Sequence, residues 1–273
     1  MVELWKVVVL AIMQGIAEFL PISSSGHLLV LGSWFGFDPE SNMTLNVVLH
    51  AGTLLAILIY YFKKLLSILL EKKRRRLIGL VIIGSIPAAA VGITLKVLKL
   101  DALIFSSPWV AAAGFLITAF LLIKVFNWPW RSSKSSDEGM VLEDMSIRQA
   151  LLIGCAQAVA VTPGISRSGS TIAAAVWNKL RKADAAEFSF LLAIPAIGGA
   201  ALLELRDLIG SSPADISGWL NGYLIGFIVS AAVGYAALAG LIAMLRRGKL
   251  GWFSCYLFLA SAVVFAVQII KLF

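Results

Sequence analysis

Two short blocks of this sequence bring together residue types that can hold an anion and do chemistry on it. The first is Gln14-Gly15-Ile16-Ala17-Glu18-Phe19-Leu20-Pro21-Ile22-Ser23-Ser24-Ser25-Gly26-His27, and the second is Pro163-Gly164-Ile165-Ser166-Arg167-Ser168-Gly169. A serine hydroxyl becomes a nucleophile when a base stands beside it, and Glu18 or His27 can supply that base. His27 lies one helical turn from Ser23 and Ser24, so direct attack by its imidazole is a second route. Gln14 precedes Glu18 by four positions and shares its helical face. Ser23, Ser24 and Ser25, followed by Gly26 after the Pro21 break, make an anion cradle, since N–H groups and the positive dipole end at a helix start favour phosphate. Any one of these serines also suits a plain N-cap. Arg167 carries a planar fork that fits phosphate or carboxylate, with Ser166, Ser168 and Gly169 beside it. Glu18 and a bound phosphate are the alternative partners for that guanidinium.

The elements that position these residues lie in a membrane. Of 273 residues 60% are hydrophobic and only 14% charged, more apolar surface than a soluble domain of this length can hide from water. Six apolar stretches are long enough to cross a bilayer, near 44–62, 77–98, 108–126, 185–205, 219–244 and 250–271. The stretches 5–36 and 148–178 are apolar too, but the two polar blocks break them in the middle. Each half is too short to span, and interrupted segments are tolerated where their backbone lines a cavity or is buried in protein. Both read as re-entrant helical hairpins. At membrane depth Glu18 costs roughly 2.5–3.5 kcal/mol and Arg167 a similar amount, so each is expected to be paired or functional.

The second block repeats the first at an offset of 143 positions: Gln14 meets Gln157, Ile22-Ser23 meets Ile165-Ser166, and Ser25-Gly26 meets Ser168-Gly169. Each half is then one hairpin plus three spans, and an odd number of spans turns the second copy upside down. The expected fold is therefore all-α and integral to the membrane, six transmembrane helices plus two re-entrant helical hairpins in an inverted-topology repeat. It forms a single membrane domain over 1–273, with repeat one 1–130, a flexible cytoplasmic linker 131–146 and repeat two 147–273. Lys63, Lys64 and the run 72–76, then Lys179, Arg181 and Lys182, then Arg246, Arg247 and Lys249, are placed on the cytoplasmic side, with both termini outside.

The net charge of +8 sets topology and meets anionic headgroups; nucleic acid is not expected as a partner. Cys155 and Cys255 lie in apolar stretches and imply neither a disulfide framework nor a zinc site. The N-terminal apolar run lacks a small-residue cleavage site and reads as part of the fold. His50, near the start of a span, reads as structural or interfacial, Glu187 as part of a helix start, and Glu204 and Arg206 as interfacial. No Walker A, His-Glu-x-x-His or Gly-x-Gly-x-x-Gly motif is present, which counts against a nucleotide-driven machine or a zinc protease.

The first block resembles the first signature of the undecaprenyl-diphosphate phosphatase (bacitracin-resistance) family, Glu/Gln-x-x-x-Glu followed by Pro-x-Ser-Ser-x-Gly-His. The second is similar to that family's Pro-Gly-x-Ser-Arg-Ser, and order, separation and length fit over essentially the whole chain. The resemblance implies dephosphorylation of the C55 isoprenoid diphosphate to its monophosphate, recycling the lipid carrier of cell-wall synthesis. It also implies a divalent cation (Mg2+ or Ca2+), a site open to the extracytoplasmic side of the bacterial plasma membrane, and bacitracin resistance on overexpression. Carried over by position, Glu18 falls on the essential acidic residue, Ser24 on the proposed nucleophile, Arg167 on the phosphate-binding arginine and His27 on the family histidine considered as nucleophile or base. Where many members have a second glutamate this chain has Gln14, leaving Glu18 as the one carboxylate for a metal.

The catalytic candidates are thus Glu18, Ser24, His27 and Arg167, with Gln14, Ser23, Ser25, Gly26, Ser166, Ser168 and Gly169 around the substrate. A polyprenyl diphosphate and membrane lipids are the expected partners, with a homodimer left open. The competing reading is a secondary transporter or flippase of a polyprenyl phosphate, because such transporters share the inverted-repeat architecture.

Overall fold

Pro21 ends the first helix. A residue before proline is pushed out of the helical region, and the chain leaves α1 (Leu4–Phe19) through an extended Leu20 at φ −65°, ψ 145°. Three residues later α2 (Ser24–Phe35) begins behind Ser23, whose hydroxyl accepts the Gly26 N–H, and it closes on Gly36 in the left-handed region at φ 71°. The second half repeats this local plan. A capping box of Ser146 and Gln149 opens α7 (Ile147–Val159), a Pro163-Gly164 turn follows, and Ser166 caps α8 (Arg167–Trp177) by accepting the Gly169 N–H. With 16 residues in α1 and 13 in α7, these helices reach about 24 and 20 Å, short of a hydrocarbon core of about 30 Å.

The other helices are α3 (Pro39–Tyr60), α4 (Phe62–Leu70), α5 (Arg76–Val97), α6 (Pro108–Phe126), α9 (Lys182–Gly210), α10 (Ile216–Arg246) and α11 (Trp252–Ile270). This computed structural model describes residues 3–37, 39–100, 104, 106–126, 139–210, 216–246 and 250–272. Among them the chain is all-helical apart from short turns and one isolated bridge between Met140 and Leu180. Helices α5, α6, α9, α10 and α11 are long and apolar enough to cross a membrane, and α3 with α4 makes a sixth crossing if the bent pair is one span. The expected linker residues 131–138, together with Arg247, Lys249 and the side chains of Glu204, Arg206 and Arg246, lie outside the described residues.

Packing centres on α3 and α9, which lie against each other. Helix α1 packs on α10 and α3, α7 packs on α5, and α6 pairs with α11. The pair α1–α2 and the pair α7–α8 meet across α6, which touches both α2 and α8. Around the meeting point the core is dense, with Phe19 edge-on to Phe190 at 5.6 Å and Phe115 fully buried.

Two expectations are corrected. The residues after the crossing read over 44–62, expected only to join it to the next span, form the amphipathic helix α4, which leaves α3 at 67°. On α4 Phe62, Leu66, Leu69 and Leu70 share one exposed apolar face while Ile68 turns inward. The end of the expected flexible linker is also docked. Residues 139–146 pair with the 179–181 segment through Met140 N–H to Lys179 O (2.8 Å) and Arg181 N–H to Met140 O (3.1 Å). Arg76 donates to the Glu143 and Met145 carbonyls at 2.9 Å each, and Leu142 and Met145 are wholly buried. Two apolar side chains and satisfied carbonyls outweigh the polar composition that suggested a free tether.

Candidate active site

Glu18 sits in the last turn of α1, buried where the two broken helix pairs meet. Its oxygens divide the work. Oε1 takes the Arg167 guanidinium from the start of α8. Oε2 accepts the Ser24 hydroxyl at 2.6 Å and the Gln14 amide at 3.1 Å. Two costly charges thereby neutralise each other at depth, as buried ions must. Arg167 also donates to the Ser189 carbonyl on α9 at 3.3 Å, which leaves most of its five donors free.

Both tips are held by backbone that only certain residues permit. Ser23 has φ 69°, a region that costs a non-glycine residue about 1–3 kcal/mol and recurs at functional sites. Gly164 has φ 87°, and a Cβ there would stand 2.1 Å from the Ala111 carbonyl of α6. A Cβ on Gly26 would meet Gly164 at 2.8 Å, so the tips approach too closely for side chains at either position. Ser168 donates to the Leu20 carbonyl at 3.3 Å, and Ser166 and Ser168 hydroxyls lie 3.2 Å apart.

The cleft between the tips is lined by Glu18, Ser23, Ser24, Ser25, Ser166 and Arg167, with Ala17, Ala160 and Ile165 as apolar wall. The starts of α2 and α8 both open on it, so N–H groups and two helix dipoles converge there. Among the residues named from sequence, Gln14, Gly26, Ser168 and Gly169 do not line the cleft but stand behind it, bonded to Glu18, Ser23 and Ser166. His27 does not line it either. Its Nδ1 lies 2.8 Å from the Ser23 carbonyl and its Nε2 2.7 Å from the Tyr256 hydroxyl on α11.

Several residues of the site were not singled out from sequence. His50, read as structural or interfacial, points Nε2 at Glu18 Oε2 from 3.7 Å, its Nδ1 fixed on the Asn46 carbonyl at 2.7 Å. Thr53, one turn on, receives the Gln14 amide at 3.4 Å. Thr118 on α6 accepts the Ser166 N–H at 2.9 Å and lies 3.1 Å from the Gly164 carbonyl, anchoring the second tip. A polar residue on an otherwise apolar helix face was the available signal for each.

The residues fit a cation only in part. Among the described residues no cluster of three or more His, Cys, Asp or Glu could hold a metal. Glu18 offers one carboxylate, and the buried Gln14 Oε1 has no hydrogen-bond partner. Mg2+ is commonly held by one or two carboxylates together with substrate phosphates and waters. That donor set suits an ion whose shell the substrate completes.

The sequence that builds this site matches known proteins along nearly its whole length. The family model described as Bacitracin resistance protein BacA matches residues 7–263. The chain belongs to that family. A Rhodopirellula baltica protein named undecaprenyl-diphosphatase is 43% identical over 266 residues, 97% of this chain and 98% of its own. One of the same name from Halothermothrix orenii is 38% identical, covering 96% of this chain and 97% of its own length. Undecaprenyl-diphosphatase 4 of Bacillus thuringiensis is 36% identical over 97% of each chain. The BacA match spans both tips, so Glu18, Ser24 and Arg167 all lie inside it.

Proposed function

We propose that this chain is an undecaprenyl-diphosphate phosphatase that releases inorganic phosphate and returns undecaprenyl phosphate to cell-wall synthesis. The observation that carries the reading beyond kinship is the 2.6 Å bond from the Ser24 hydroxyl to a buried carboxylate that Arg167 holds in place. An anion carrier needs the cradle and the arginine. It does not need a hydroxyl already bonded to a base.

The diphosphate enters the cleft with its phosphates on the free donors of Arg167 and the N–H groups at the starts of α2 and α8. Ser24 Oγ attacks the terminal phosphorus in line with the bridging oxygen. Its proton passes to Glu18 Oε2, the bridging P–O bond breaks, and the prenyl monophosphate leaves with the bonding pair. Glu18 gives up that proton to solvent; water then attacks the phosphoserine, passing a proton to the Glu18 carboxylate, which hands it to Ser24 Oγ as the serine P–O bond breaks and phosphate departs. A divalent cation at Glu18 and the Gln14 carbonyl would neutralise the charge on the phosphate oxygens.

The two broken helix pairs are read as re-entrant hairpins entering from opposite faces of an inverted repeat. Packing supports this: exchanging α1, α3, α5 and α6 for α7, α9, α10 and α11 maps the α1–α10 contact onto α7–α5 and the α3–α10 contact onto α9–α5. The basic end, where Lys64 bonds Glu187 at 2.7 Å and Arg76 holds the 143–145 segment, is assigned to the cytoplasm of a bacterial inner membrane, with the site open to the exterior.

The test is phosphate release from a long-chain prenyl diphosphate by purified protein, with Mg2+, with Ca2+ and with chelator. Cation-dependent turnover is expected, falling at least ~10³-fold in Ser24→Ala. A folded, lipid-reconstituted wild type without turnover would move the assignment to a carrier of lipid phosphates.

A further inference from the structure

Resting on the phosphatase reading, we infer that His27 and Tyr256 form a positioning pair for Ser24 and take no chemical part in the reaction. A carbonyl oxygen only accepts, so the 2.8 Å contact with the Ser23 carbonyl fixes a proton on His27 Nδ1. The same carbonyl accepts the His27 backbone N–H at 3.3 Å. Nε2 then accepts the Tyr256 hydroxyl at 2.7 Å. The ring lies parallel to Tyr256, 12° between planes at 5.6 Å, with Phe115 at 4.8 Å. Both nitrogens are thus taken, and His27 is not among the residues that line the cleft.

What the pair holds is the strained link of the tip. Ser23 is at φ 69°, and its carbonyl, clamped by two donors, sets the direction in which the next residue leaves. That next residue is Ser24, whose hydroxyl must meet Glu18. Tyr256 comes from the last helix, so the second half of the chain locks the nucleophile of the first. An error of an ångström in a reacting atom is worth about 100-fold in rate, which is the scale on which such a clamp matters.

The experiment combines turnover with a tautomer readout. The chain has two histidines, so ¹⁵N labelling gives two imidazole signals, and His27→Asn assigns the one in question. An Nδ1–H, Nε2-acceptor tautomer is expected, with its Nε2 signal moving in Tyr256→Phe; an Nε2–H tautomer would overturn the inference, whether or not the protein turns over substrate. In the assay Tyr256→Phe is expected to lower kcat about tenfold with KM nearly unchanged. His27→Asn, whose amide can donate to the Ser23 carbonyl as Nδ1 does, should retain turnover within about tenfold, while His27→Gln, which mimics Nε2, should lose at least ~100-fold. A His27→Asn protein that stays folded yet is as inactive as Ser24→Ala would mean that the imidazole reacts. Loss of turnover in the wild type would sink the phosphatase reading and leave the tautomer result to decide the clamp.

Discussion

At the scale of single residues, the site rests on one neutralised pair. Removing Arg167 leaves the Glu18 carboxylate buried beside Ser24 and Gln14 without its cation. Breaking a buried pair from one side costs about 3–5 kcal/mol, whereas removing both charges costs far less. Arg167→Met should therefore lower the thermal midpoint sharply, and Glu18→Gln/Arg167→Met should recover most of the loss without recovering turnover. Additive losses in that double-mutant cycle, read by thermal unfolding in one detergent, would show that the two side chains do not stabilise each other. Glu18 and Arg167 stood out in the sequence because charge at membrane depth is costly, whereas Ser24 stood out from its neighbours only through the family resemblance, since any of the three serines suits an N-cap. His50, Thr53, Thr118 and Tyr256 did not stand out, since a lone polar residue on an apolar span looks the same whether it faces a site or a neighbouring carbonyl. Only folding brings residues as far apart as His27 and Tyr256 into contact.

At the scale of elements, two helix starts face each other because glycine lets them. Gly36 and Gly164 both have positive φ, 71° and 87°, but their surroundings differ. Nothing lies within 4 Å of a Cβ at Gly36, whereas one at Gly164 would meet the Ala111 carbonyl at 2.1 Å. Gly36→Ala should cost only the backbone term, about 1–2 kcal/mol, and leave kcat unchanged. Gly164→Ala must also push α6 from the second tip, misplacing Arg167, and should cost more stability and at least ~100-fold in turnover. Equal effects from the two variants, measured by unfolding and phosphate release, would mean that the close approach of α6 does not set the site. The broken helices were readable from proline, glycine and serine. The bend between α3 and α4 was not, because the apolar run continues through Tyr61 and only the change of exposed face marks it.

At the scale of the whole molecule, the proposed orientation rests on where the basic residues collect. Lys72, Lys73 and Arg75 are exposed just before α5, and the docked end of the linker lies at the same end through Arg76 and Lys64. Helix α5 has 22 residues, which at about 1.5 Å each gives ~33 Å, enough for a core of ~30 Å. Residues just outside its two ends must then emerge on opposite sides. In a Cys155→Ala/Cys255→Ala background, Lys99→Cys should react with an impermeant maleimide in intact cells, and Lys73→Cys only once the inner face is exposed. Both reacting from one side would mean that α5 does not cross, which removes the odd number of spans per half and with it the inverted repeat. The reverse pattern would keep the repeat but turn the molecule over, and the lipid diphosphate would then have to reach Glu18 and Arg167 from the cytoplasm.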